Sequence, residues 1–553
     1  MSCEITCPYC FHKMLDSEVL FRSEKFNRGE CDLLPDDYDD IDDFTARYNG
    51  PDKEAILNAY RDWAFFAEGP DPVYEEFWSR FGGTTENNPA DDVLKIKAYH
   101  RKVIDPGKPA HRKYLKTQEG GDYFIHDDQG MVTQIELQTG EVCNRRVCPK
   151  CHNPLPDSYG KNTVKFATVI GITGAGKTVY LSQLLQRMRD YAVKVGLSAI
   201  VSNTGVRAFL EQNTIAARVP LPGSTPATRF QQPLFYEMVR DAGDRKITET
   251  FVLYDVAGEV FTDPTLISKF APFVSHANGV IVLIDPMQFA VVSAATSSGT
   301  TLNHPVTVLD AVYNIMSGGR AGEKCPIPFA VCISKADTEE VQQVFDPELR
   351  EMLRSDVRGI PDPRGFNLPL FNASDYNPIF TQLYHFIQNN EMVLAQQMQT
   401  NYANYAYFAF TALGCDVKKF KKIKDSEYEK IRRQRDLNNE PPISQYVLTN
   451  DSSLPDDVFE RTGQGELSTY QCPTGPVLPK RVEEPLLWLF HKLNYIGVDT
   501  YIDDPSCPKV PCPVCGSVDT EGGEWLATSG FGPFKKKWYV NRKCYSCGNL
   551  WDA

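Results

Sequence analysis

The stretch 169–185, VIGITGAGKTVYLSQLL, constrains this chain more than any other. An apolar, β-branched run, KFATVI (165–170), enters a glycine loop. A run with apolar residues at helical spacing leaves it. Gly171, Gly176, Lys177 and Thr178 fit G-x-x-x-x-G-K-[ST] without a mismatch. A strand, a glycine loop and a helix in that order form a phosphate cradle. Glycines let backbone N–H groups turn inward, and the helix N-terminus adds positive potential. Thr173, Gly174, Ala175 and Val179 complete the expected phosphate-binding loop. Lys177 is expected to reach the β and γ phosphates, and the Thr178 hydroxyl to ligate Mg²⁺.

The loop alone does not choose the base, but three later segments do. TFVLYDVAGE (250–259) is an apolar strand ending in Asp-x-x-Gly. Asp255 there would hold Mg²⁺ through a water, and the Gly258 amide would touch the γ-phosphate. PFAVCISKAD (328–337) is a strand followed by Ser-Lys-Ala-Asp, where GTPases carry [NT]-K-x-D. Asp337 could accept two hydrogen bonds from guanine. Adenine offers neither donor and would leave the carboxylate unpaired, at a cost of roughly 1–3 kcal/mol. The Lys335 stem would lie along the base, and the Ser334 hydroxyl would bond to the phosphate loop. YFAFTALG (407–414) is a strand ending in a loop whose Ala412 amide, beside Leu413, would support guanine O6. These readings imply bound GTP or GDP with Mg²⁺.

A switch needs a threonine between the loop and Asp255. RVPLPGSTPATRF (218–230) offers Thr225 first and Thr228 second, with Arg218 or Arg229 as an internal arginine finger. Glu259 stands where a water-orienting glutamine is common. Lys177, Thr225 and Glu259 are therefore the candidate catalytic residues. Intrinsic hydrolysis should be slow.

Eight of the 16 cysteines fall in four Cys-x-x-Cys pairs. No basic start followed by an apolar block marks a secretory leader, so the pattern favours metal over disulfides and a cytoplasmic setting. Cys512, Cys515, Cys544 and Cys547, with 28 residues between the pairs, read as a closed zinc ribbon. A glycine follows the second cysteine of each pair. Cys7, Cys10, Cys148 and Cys151 are read as a second zinc site, split by an inserted region. Cys3, Cys143 and His152 are competing ligands. Two Zn²⁺ are expected.

The expected layout is α/β. A split ribbon spans 1–12 and 143–160, around an α+β insert at 13–142. A P-loop domain with a mostly parallel sheet flanked by helices covers 161–500, and a C-terminal ribbon covers 501–553. Segments 286–327 and 338–400 read as helical insertions, and 416–478 as a partly mobile one. A final helix is expected over 483–497. No apolar run is long enough to span a membrane. The formal net charge of −14 disfavours nucleic-acid binding by the whole surface. KKKWYV (535–540) could still make a local contact.

The order of these motifs resembles Ras-like, translation-factor-class GTPases over about 162–498. With the ribbons, LIDP (283–286) and EEPLLWL (483–489), the chain is similar to a bacterial group called double-GTPase-like. The resemblance implies a regulator of a protein effector in conflict or defence systems. Self-association is also open. Three readings follow: a GTPase switch, a non-hydrolysing nucleotide-bound scaffold, and an ATPase whose ribbons contact nucleic acid.

Overall fold

A computed structural model describes residues 4–22, 35, 37–38, 41–66, 71–80, 103–118, 120–138, 140–156, 159–172, 174–201, 204–223, 233–241, 246–262, 266–267, 272–293, 305–318, 322–363, 365–500, 512–517, 520–529, 536–544 and 546–551. Its centre is a seven-stranded sheet. In chain order the strands are β1 (Thr163–Gly171), β2 (Leu197–Val201), β3 (Leu234–Asp241), β4 (Lys246–Ala257), β5 (Gly279–Ile284), β6 (Phe329–Ile333) and β7 (Tyr405–Ala409). Their spatial order is β2-β3-β4-β1-β5-β6-β7. The last five are parallel, and β2 and β3 add an antiparallel edge. The short apolar run GVIVLI becomes β5, whose six residues are all buried, as a strand covered on both faces must be.

Helices α1 (Lys177–Gln186), α3 (Ala373–Asn390) and α4 (Glu484–Lys492) pack against this sheet, and α2 (Pro305–Met316) packs on the helix Met392–Asn401. In α4, Phe490 lies on Phe251 of β4 with ring centroids 4.3 Å apart, and Trp488 meets Phe408 of β7 at 5.7 Å. Gly279 opens β5 because the Leu489 methyls of α4 sit about where its side chain would go. The helix expected over 483–497 is shorter than its apolar pattern. It stops at Lys492, and Asn494 then takes a left-handed conformation with φ 60°. Tyr254 is three residues beyond Phe251 and so points to the other face of β4. There it packs on Phe273 and on Phe11, which follows the first cysteine pair.

The segment expected to be a partly mobile insertion folds as a three-stranded antiparallel sheet. Val417–Lys422 is its centre, flanked by Tyr446–Leu448 and Thr469–Pro473. Phe420, Cys472 and Phe459 are buried in this lobe, and the helix Asp425–Leu437 buries no residue. The charged composition hid this fold because few of its apolar residues are buried, and the strand Tyr446–Leu448 buries none. Among the described residues no helix is long and apolar enough to cross a membrane.

Candidate functional site

The sheet register lines up the motif-bearing strand ends. Ala257 of β4 pairs with Gly171 of β1, Gly171 with Leu283 of β5, Leu283 with Cys332 of β6, and Cys332 with Phe408 of β7. The loops after these five residues therefore leave the same edge. The chain runs leftward from β1 and rightward from β5, so that edge contains a topological switch point, where open α/β sheets take ligands.

The phosphate loop sits at this point. Gly174 and Gly176 have φ of 85° and 70°, and Gly176 caps α1 in the left-handed region. A Cβ on Gly171 would lie 2.6 Å from the Lys177 Cβ, and one on Gly258 would lie 2.4 Å from the Gly171 carbonyl oxygen. The Asp-x-x-Gly glycine thus rests on the backbone of the loop itself. Lys177 and Asp255 are both buried, with Nζ and Oδ1 2.6 Å apart. A buried lysine at the start of the helix after the loop and the buried carboxylate beside it form a donor set that suits a nucleotide phosphate and Mg²⁺.

The side expected to take the base is built from two loops. Lys335 takes φ 52°, and its Nζ donates to Asp285 Oδ2 at 2.8 Å. Asp285 is buried, caps the turn after β5 by accepting from the Met287 N–H, and lies against Gly174, where a Cβ would come within 2.6 Å of it. It therefore ties Lys335 to the phosphate loop. Sequence reading quoted LIDP without giving Asp285 a role; the acidic residue closing an apolar strand was the available signal. The Ser334 hydroxyl was expected to bond to the phosphate loop. Instead it donates to the Ile284 carbonyl at 3.0 Å, because Ser334 is buried beside the end of β5. Asp337 is open to solvent by area, yet the surrounding walls desolvate its carboxylate and raise its pKa. Hydrogen bonds from Thr411 and Gly414 oppose that rise. Ala412 and Leu413 follow Thr411, whose backbone pairs with Lys480.

One cavity of about 1170 Å³ joins these parts. Gly174, Ala175, Gly176 and Val179 line it from the phosphate loop, Ser334–Asp337 from the second loop, and Ala412 and Leu413 from the third. Leu221 and Pro222, within the 218–230 stretch, also line it, as does Gln471, which no sequence motif marked.

Thr173, Thr225, Thr228 and Arg229 lie outside the described residues, as does the side chain of Glu259. Arg218 is exposed, and its backbone N–H donates to the Pro473 carbonyl at 2.8 Å.

Two further clusters bring together Cys7, Cys10, Cys148 and Cys151, and Cys512, Cys515, Cys544 and Cys547. In each, the four sulfurs lie within 4.8 Å of one another. Either set could hold a metal ion, and four thiolates at that spacing suit tetrahedral zinc. Burial pushes the Cys7 and Cys151 thiols well up, so ionising them needs a cation. Cys143 stands apart from the cluster beside Glu141. His152 turns its Nδ1 to Asp71, with a closest approach of 2.7 Å. Cys3 and the side chains of the KKKWYV segment lie outside the described residues.

No family model matches the chain. Over 207 residues, 34% of its length, it is 26% identical to a Mycolicibacterium smegmatis protein named "Putative ESX-1 scaffolding and assembly protein SaeC". It spans about half of that relative, 51%. Among solved structures, a crystal structure of sup35 complexed with GDP superposes on 45% of this chain and 38% of that one, with a TM-score of 0.19 and 14% identity. The G domain of the T. maritima FeoB iron transporter superposes on 34% of this chain and 83% of its own, with a TM-score of 0.15 and 13% identity.

Proposed function

We propose that this chain is a Mg²⁺-dependent, GTP-binding switch that hydrolyses GTP slowly and passes its nucleotide state to a protein partner. The convergence of three motif loops on one cavity, with Asp337 at its base end and the phosphate loop at the other, supports this reading. Lys177 would hold the β and γ phosphates, while Thr178 and Asp255 would hold Mg²⁺, directly and through water. The metal would supply charge neutralisation on the phosphates. Gly258 would present its N–H to the γ-phosphate. Asp337 would read guanine, and Lys335, steadied by Asp285, would flank the base. Thr225 and Glu259 are the proposed switch and water-orienting residues. The two cysteine clusters would each hold one Zn²⁺.

The partial likeness to a protein named for scaffolding and assembly favours protein partners, and keeps a non-hydrolysing scaffold as the second reading. A defence setting rests on the sequence resemblance alone.

Calorimetric titration of the zinc-replete protein with GTP and ATP analogues in Mg²⁺ tests the base assignment. GTP is expected to bind at least about tenfold tighter, roughly 1.4 kcal/mol. Asp337→Asn should move that preference toward xanthine nucleotides. Equal or tighter ATP binding would overturn the assignment and favour an ATPase.

A further inference from the structure

The lobe formed by Val417–Lys422, Tyr446–Leu448 and Thr469–Pro473 is attached to the cavity at two places. The first is covalent: its leading strand begins at Val417, three residues after Gly414. Gly414 has φ 65° and sits where a Cβ would come within 2.1 Å of the Leu478 carbonyl oxygen, so the returning chain clamps the base loop. The Leu478 N–H also donates to the Leu413 carbonyl at 2.7 Å. The second attachment is a short extension of the lobe's sheet. Backbone N–H groups of Arg218 and Leu221 donate to the carbonyls of Pro473 and Gln471, each at 2.8 Å. Residues 218–221 thus lie along the outer edge of Thr469–Pro473, whose other edge pairs with Val417–Lys422. At this seam Leu221, Pro222 and Gln471 form one wall of the cavity.

We propose that this lobe is the reporter of nucleotide state. It is coupled to the ligand through the base loop at 411–416 and through the seam at 218–222. The inference rests on the nucleotide reading above. A bound base constrains Asp337, Ala412 and Leu413, and with them the start of the lobe's central strand. Ligand contact with Leu221 and Pro222 tightens the opposite edge. Both edges of Thr469–Pro473 are then held, and the far strand Tyr446–Leu448 feels the change only through Val417–Lys422. A sheet edge that gains a partner exchanges its amide hydrogens more slowly because opening must break more bonds together. By linkage, whatever grips the lobe changes nucleotide affinity by the same factor.

Hydrogen–deuterium exchange of the full chain, with and without GDP or a GTP analogue and Mg²⁺, tests this. Nucleotide should slow exchange in 171–181, and in 417–422 and 446–448 by at least about threefold. Leu221→Pro removes one seam donor. It should weaken the effect at 446–448 relative to wild type when both are compared at nucleotide concentrations that fully protect 171–181. If 171–181 is protected in the wild type but the lobe is unchanged, the coupling is wrong and the nucleotide reading stands. If no nucleotide protects 171–181, the nucleotide reading fails and the coupling falls with it. If Leu221→Pro does not fold, the wild-type comparison decides alone.

Discussion

The four cysteine turns share one backbone but not one sequence. In each, the first cysteine's N–H donates to the carbonyl five residues on, and its own carbonyl accepts from the N–H four residues on. The residue at that fourth position is left-handed every time: Phe11 (φ 56°), His152 (φ 53°), Gly516 (φ 70°) and Gly548 (φ 74°). The C-terminal cluster uses glycine, which accepts this conformation freely. The first cluster uses phenylalanine and histidine, at a cost of roughly 1–2 kcal/mol each. Its surroundings offset that cost. The Phe11 ring stacks on His276 with centroids 4.7 Å apart and packs on Phe166 and Tyr254. His152 bonds to Asp71, whose carboxylate also takes Arg22 at 2.7 Å. Burial opposes ionisation of Asp71, but His152 and Arg22 hold its pKa below the usual range. The Pro8 carbonyl accepts from the Tyr254 hydroxyl at 2.7 Å. At the other cluster Cys515 and Cys547 are exposed, and Val514 is 70% exposed. Glycine serves where a turn is open to solvent; a side chain serves where the core holds it.

Removing one ligand should break the comparison most sharply. Cys148→Ser should cost the folded core, because structural zinc in small domains is worth on the order of 10 kcal/mol and this cluster is packed against β4. Cys547→Ser should lose one zinc and leave the main thermal transition in place. Metal content with scanning calorimetry of both variants checks this, and equal transitions would erase the distinction. Chelator added to wild type should draw zinc first from the cluster containing exposed Cys515 and Cys547, as thiol alkylation mapped by mass spectrometry would record.

Turn substitutions should give smaller effects. Phe11→Gly relieves the backbone but deletes a buried ring. The net loss should be about 3 kcal/mol, read from urea midpoints. Gly516→Ala adds a Cβ with nothing within 4 Å, so only conformational strain of about 1 kcal/mol remains. That should lower zinc affinity roughly fivefold without moving the core transition. Stabilisation by Phe11→Gly would mean that stacking does not hold the first turn.

The same division runs through the proposed nucleotide site. The phosphate loop was legible because its residues are consecutive and its glycines meet a local steric demand. The SKAD and TALG loops were legible as strand-ending turns in a fixed order. Asp285 was not: its role depends on Lys335 and Gly174, which only the alignment of strand ends brings to it. Ser334 was misread for a related reason, since its hydroxyl answers the neighbouring β5 carbonyl. Leu221 and Gln471 are 250 residues apart, and no period in either segment announces that they share a wall. The lobe at 417–473 was hidden by its lysines and acids, which pattern reading takes for a solvated stretch.

Sequence alone determined the local chemistry of this protein. It fixed where a phosphate loop can turn, which cysteines form turns, and which runs are apolar enough to be central strands. Those properties follow from bonded geometry and near neighbours. Tertiary structure decided which turns tolerate Phe11 and His152, which carboxylate steadies Lys335, and how a charged insertion comes to wall the cavity. Each of those outcomes depends on contacts between distant segments, whose energies exist only once the sheet has set their register.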